Sequence, residues 1–349
     1  MSRYDAMLAQ VKLLLNQRAQ LPDNRYCTLK QLREHDKQLL TAINWLQQQH
    51  TIAAEQPLWL QWLLADNNTE LLAVNALSHL CLPEQSWLLL HQIKQQLFNA
   101  IQPHWQSRLQ QQTQNTDNPL LWTLAAYLQL SVDPFADKAP LTPAALWYLV
   151  LAKPAAAHQK LPQYRPSDDS QSIIKQLALQ LSIPDYLADI APYSPQQLID
   201  SVTPHPFGLM LLLAAVDDGS QAKLINYLAQ NDQMAALAAM GYSGQLKFAP
   251  LLAELAQQPE LHQAAADALA LLMGTTDSEA CLAEPAALQN FHTNRSGARQ
   301  LCGAVISDLQ LATVWRSGNL QQRQLASCLR KINASQQPLL AADALQVKL

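Results

Sequence analysis

The chain has 349 residues, 49% of them hydrophobic, so it can bury the cores of two ordinary domains or of one extended repeat array. Only 14% are charged and the net charge is −4, which argues against nucleic acid and anionic membranes as partners. No stretch approaches the roughly 18 uninterrupted apolar residues of a membrane span, and the opening MSRYDAMLAQ lacks the apolar run of a signal peptide.

The first expected helix runs from Asp5 to Ala19, with Met7, Leu8, Val11, Leu14 and Leu15 on one side. A turn at Leu21-Pro22-Asp23-Asn24 leads into CTLKQLREHDKQLLTAINWLQQQ. There Thr28 and Gln31 have capping-box spacing, and Leu29, Leu32, Leu39, Ile43 and Leu46 form the apolar seam. Asp36 falls on that seam, where an unpaired buried carboxylate would be costly. Further helices are expected through Leu71 to Leu80, Trp87 to Phe98, Pro119 to Leu130 and Pro143 to Leu151. Lys153 to Ser170, with Pro154, Pro162, Pro166 and the run Ser167-Asp168-Asp169-Ser170, reads as a linker. Helices resume at Gln171 to Leu181, Pro184 to Ile190 and Pro195 to Val202.

All eight glycines fall at Gly208 or later, which excludes a glycine-rich phosphate loop from the first 207 residues. The most regular stretch is MGYSGQLKFAPLLAELAQQPELHQAAADALALLMG, from Met240 to Gly274. Leu246, Phe248, Leu251, Leu252 and Leu255 mark one helix, and Leu261, Ala265, Ala268, Leu269 and Leu272 a second. The small alanine face of the second invites close approach by a neighbour. Gly241 and Gly274, 33 residues apart, are expected to follow helix ends as left-handed caps, with a degenerate earlier end over Ala214 to Gly219. Beyond lies an irregular stretch to Ser296, then short helices over Ala298 to Leu311 and Leu320 to Ile332, and a loose cap from Ser335. Strand signals are absent.

Two of these stretches resemble a bacterial family of HEAT-repeat-like proteins. NRYCTLKQLREHDKQLLTAINWLQ is similar to the family's opening motif, an aromatic residue leading into a Leu-x-x-Leu-x-x-Leu-Asp helix. Tyr26, Leu29, Leu32 and Asp36 take those places, and His35 stands where the family has leucine. GYSGQLKFAPLLAEL with AADALALLMG is similar to its Gly-x-x-Gly, Pro-x-Leu and alanine-spaced pattern ending in Gly. The family has no established enzymatic role, and its genes frequently lie beside those of type VI secretion. The resemblance therefore implies an accessory, non-enzymatic role there, as an adaptor, effector-associated factor or immunity-like binder.

Seven of the eight tryptophans lie at or before Trp147. Core filling is their ordinary role. Trp59 and Trp62 share a helix face and are the aromatic candidates for partner binding. At the other end Arg295, Arg299, Arg316, Arg323 and Arg330 make the chain locally basic, and Arg295, Arg299 and Arg316 are the cationic candidates. Gly241-Tyr242-Ser243-Gly244 lacks the spacing and the preceding strand of a nucleophile elbow. The nine histidines form no HExxH, and no Cys/His set has zinc spacing, so neither a catalytic residue nor a metal or other cofactor is expected. Asp168-Asp169 and Asp217-Asp218 sit in turn contexts that suit helix caps better than acid–base pairs. The five cysteines are odd in number and lack a CxxC pair, which fits reduced thiols in a cytoplasmic protein.

The expectation is an all-α chain, an α-solenoid of HEAT-like antiparallel helix pairs with a less regular N-terminal part. Its regions are 1–152 (N-terminal helical), 153–170 (linker) and 171–349 (helical repeats). The expected function is a protein-binding scaffold. The rivals are an enzyme with a His/Asp/Glu site between helices and a helical-repeat nucleic-acid binder.

Overall fold

The computed structural model describes residues 3–21, 27–49, 122, 132, 141–152, 154–182, 192–203, 207–284, 298–334, 339 and 342. Among them are fourteen helices and one two-stranded sheet, so the all-α expectation holds. The chain divides into two units, Met1–Asp133 with Ala341–Lys348, and Pro134–Leu340 with Leu349.

In the first unit α1 (Arg3–Gln20) packs on α2 (Leu29–Gln49) through the expected seams. Val11 and Leu14 are buried on one side, Leu32, Leu39 and Ala42 on the other. The start of α2 is fixed by the capping box: the Thr28 N–H donates to Gln31 Oε1 (2.8 Å) and the Gln31 N–H to Thr28 Oγ1 (3.3 Å). The Arg3 guanidinium lies 5.3 Å from the ring centre of Trp45. The side chain of Asp36, the helices expected between 71 and 130 apart from the buried, helical Trp122, and Trp59 and Trp62 lie outside the described residues.

The second unit begins with α3 (Pro143–Ala152), whose residues from Ala144 to Leu149 are all buried. The expected linker is largely built structure. Pro154–Lys160 is α4, a 3-10 turn follows at Leu161–Gln163, and Leu161 is fully buried. Tyr164 Oη donates to Gln171 Oε1 (2.8 Å), and Lys175 Nζ to the Tyr164 carbonyl (2.7 Å). The prolines suit these short pieces because a first-turn proline lacks only a donor the helix leaves unused. α5 (Asp169–Ser182) packs on α3, α4, α6 (Pro195–Val202) and α7 (Gly208–Ala215). α8 (Asp218–Asn231) packs on α9 (Gln233–Ser243). α9 and α10 (Ala249–Leu255) both pack on α11 (His262–Met273), which also carries α12 (Thr275–Ala283). α13 (Asp308–Ser317) pairs with α14 (Leu320–Asn333), and α14 also packs on α7. That last contact joins elements far apart in sequence, whereas an open repeat stack uses neighbours only.

Side-chain caps set the starts. Asp168 Oδ1 accepts from the Gln171 N–H (2.7 Å) and Asp217 Oδ1 from the Ser220 N–H (2.9 Å), so both act as helix caps. The Ser220 N–H, with the Ser220 hydroxyl, holds the Asp217 carboxyl below its ordinary value.

The glycines need correction. Gly241 is no cap. It lies inside α9, where a Cβ would stand 2.8 Å from the Cα of Ala268 in α11. Its role is close helix–helix approach against the alanine face. The left-handed cap is Gly244, at φ 71° and ψ 7°. Gly274 has φ 86° but ψ 160°, an extended conformation essentially restricted to glycine, and it separates α11 from α12. Gly219 lies in the first turn of α8, and the earlier helix end expected over Ala214 to Gly219 falls at Ala215, where α7 stops.

Two further expectations fail. Residues 275–283 form α12 rather than an irregular stretch, and the helix expected from Ala298 is a small hairpin. β1 (Gln300–Leu301) pairs antiparallel with β2 (Ala304–Val305) across Cys302 and Gly303, at φ 50° and 82°. Positive φ at both central residues makes the tight turn that matches strand twist. Cys281, Cys302 and Cys328 are free thiols. No described helix is long and apolar enough to cross a membrane.

Candidate functional site

An α-helix leaves its last carbonyls without intrahelical donors and concentrates partial negative charge there. Three such ends, those of α7, α9 and α11, meet residues 299–303. The Arg299 Nε donates to the Ser243 carbonyl at 2.8 Å, and its two terminal nitrogens donate to the Ala214 and Leu213 carbonyls, both at 3.3 Å. The Gln300 N–H donates to the Gly244 carbonyl (2.7 Å). The Cys302 and Gly303 N–H groups donate to the Leu271 and Leu272 carbonyls, each at 2.8 Å. Buried glutamines complete the network. Gln221 Nε2 donates to the Leu213 carbonyl (2.6 Å), Gln245 Nε2 donates to Gln221 Oε1, and Gln322 Nε2 donates to the Ala270 carbonyl (3.1 Å).

Arg299 was expected in solvent as part of a contact surface. It is half-buried with its fork turned inward, because carbonyl ends from two helices converge on it. Burial lowers its pKa from the ordinary arginine value, opposed by the nearby Asp218. Arg323 is also buried, its guanidinium 4.0 Å from the ring centre of Trp315. Arg295, Trp59 and Trp62 lie outside the described residues. Of the five residues expected to bind a partner, Arg316 is the one described as exposed.

Arg316 belongs to the outer face of α13. Ser307 Oγ caps that helix by accepting from the Gln310 N–H (3.2 Å), with Asp308 in the favourable first turn. Leu311, Val314 and Trp315 point inward and are buried. Leu309, Thr313 and Arg316, at spacings of four and seven residues, share the opposite face and are all exposed. Leu309 is 79% exposed and Val305, on the adjoining hairpin, 49%. Gln310 Nε2 anchors α13 to β1 through the Leu301 carbonyl (2.7 Å). An apolar side chain and an exposed guanidinium two turns apart on one helix face can seat in a pocket and pair with a carboxylate.

Leu309 escaped the sequence reading because the expected helix began at Ala298. Starting instead at the Ser307 cap puts Leu309 off the apolar stripe. Among the described residues no group of three or more His, Cys, Asp or Glu is placed to hold a metal ion. The Ser243 hydroxyl donates to the Met240 carbonyl (2.7 Å) and accepts from the Gln245 N–H (3.1 Å), so it is engaged in the end of α9.

No family model, curated protein or solved structure matches this chain.

Proposed function

We propose that this chain is a non-enzymatic protein-binding scaffold whose partner docks on the outer face of α13. The observation that carries the reading is Leu309, a large apolar side chain 79% exposed on the same helix face as Arg316. Isolated exposed leucines are ordinary. Here Val305 and a cation lie nearby, a combination suited to an acidic partner with an apolar pocket. The packed helix pairs α8/α9, α10/α11 and α13/α14 support HEAT-like pairing, with the α7–α14 contact as a departure from an open stack. The two motif stretches that resemble the HEAT-like family lead us to assign an accessory role in bacterial type VI secretion, in the cytoplasm. The free thiols are in keeping with that compartment.

The test is capture of a type VI secretion component by the tagged full chain from a bacterium that carries those genes. Leu309→Asp with Arg316→Glu should abolish that capture with the melting temperature nearly unchanged, since both side chains sit in water. Capture that survives the double replacement removes α13 as the docking face. Capture that never includes a secretion component removes the accessory role.

A further inference from the structure

We infer that residues 299–303 form a clasp that makes the C-terminal ends of α7, α9 and α11 open and close together. Helix ends normally fray independently, with opening free energies near zero. In helical repeat arrays, stability is approximately a sum of local terms, so units can melt separately. This segment opposes both tendencies. Four residues of this five-residue segment supply donors to all three ends: the Arg299 side chain to α7 and α9, the Gln300 N–H to α9, and the Cys302 and Gly303 N–H groups to α11.

These donors cannot leave one at a time. The strand that carries them is locked by its register, Gln300 opposite Val305 and Leu301 opposite Ala304, and by the two positive-φ residues of the turn. Gln300 and Leu301 are 1% and 0% exposed, so peeling the strand away also uncovers a buried leucine. The fit is close at both ends of the segment. A Cβ on Gly244 would stand 2.9 Å from the Gln300 carbonyl oxygen, and one on Gly303 would stand 2.9 Å from that of Met273. Only glycine lets the backbones approach so nearly at these φ values. Gln310 ties α13 to the same strand, so the clasp also fixes the register of that helix on the unit. The inference stands on these contacts alone and does not depend on the identity of a partner.

Native-state hydrogen exchange on the full chain, followed by residue-resolved NMR at low denaturant, tests it. The reporters are the Val216, Gly244 and Gly274 amides, which close the last turns of α7, α9 and α11 onto the Leu212, Gly241 and Ala270 carbonyls. In the parent protein the three should share one opening free energy and one denaturant dependence. In Arg299→Met, which touches only the α7 and α9 ends, protection should fall at all three, including Gly274, by a common factor on the order of tenfold or more. Gly303→Val, acting from the α11 end, should loosen Val216 as well. Distinct denaturant dependences in the parent overturn the clasp, and that measurement decides the matter even if both variants fail to fold. Parent-level protection at Gly274 in Arg299→Met overturns it too, because the ends would then be capped separately.

Discussion

Replacing Arg299 with Met removes the guanidinium but keeps most of the stem's packing. The Leu213 carbonyl keeps its bond from Gln221, while those of Ser243 and Ala214 lose the guanidinium donors. A buried acceptor deprived of its donor costs about 1–3 kcal/mol. The guanidinium's own desolvation, visible as its lowered pKa, is relieved in the variant and offsets part of the loss. The expected net destabilisation is about 2–4 kcal/mol, a large share of the roughly 5–15 kcal/mol that a domain commands. Urea unfolding followed by far-ultraviolet circular dichroism reads this as a midpoint lowered by about 1 M, for a slope of about 2–3 kcal/mol per M. Arg299→Glu should be worse than Arg299→Met by about 1 kcal/mol, since it sets a carboxylate against two negative helix ends. Arg299→Lys should fall between parent and Met, keeping the charge but losing the fork. An Arg299→Met protein within about 0.5 kcal/mol of the parent, or a Glu variant no worse than Met, would refute the inward-facing role.

Lys331 is 2% exposed, and burial lowers its pKa from 10.5 to about 8. The unfolded chain therefore binds more protons between those values, and stability should rise with pH from 8 to 10.5. Lys331→Met should remove that rise, so its stability relative to the parent should fall progressively from pH 8 toward pH 10.5; a pH-independent difference in denaturation midpoint would contradict this. Gly241→Val and Gly244→Val should both destabilise, for different reasons. The first wedges α9 from α11 and should cost about 1–3 kcal/mol; the second strains a left-handed cap and should cost about 1–2 kcal/mol. Melting curves check both, and Gly241→Asn, a residue that suits a cap but not a tight interface, should remain damaging.

What the sequence revealed was set by local chemistry. The Thr28–Gln31 box, the bounds of α6 at Pro195 and Val202, and the Asp168 and Asp217 caps each depend on atoms within a few residues, so spacing sufficed to place them. Gly241 shows the limit. A glycine after Leu-Ala-Ala-Met looks the same whether it stops a helix or admits a neighbour, and the deciding atom, the Cα of Ala268, belongs to another helix. Cys302-Gly303 escaped for a related reason. The usual residue at the first positive-φ position of such a turn is Asn, Asp or Gly, and cysteine carries no turn signal.

The arginines make the same point about function. Counting charge along the C-terminal part predicts a solvated basic face, yet α14 buries Gln322, Arg323, Gln324, Ser327 and Lys331 beside Leu325 and Leu329. A polar residue is drawn inward when its partner is already there: the Trp315 ring for Arg323, and the Ala270 carbonyl for Gln322. Arg299 and Arg316 are chemically identical and 17 residues apart in sequence. One converges on two helix ends and the other stands free on α13, because unsatisfied carbonyls meet the first and water meets the second. Composition therefore overcounts the surface available for recognition. The useful signal is narrower: an apolar residue off the buried stripe of a capped helix, with a free cation two turns away, as Leu309 and Arg316 are on α13.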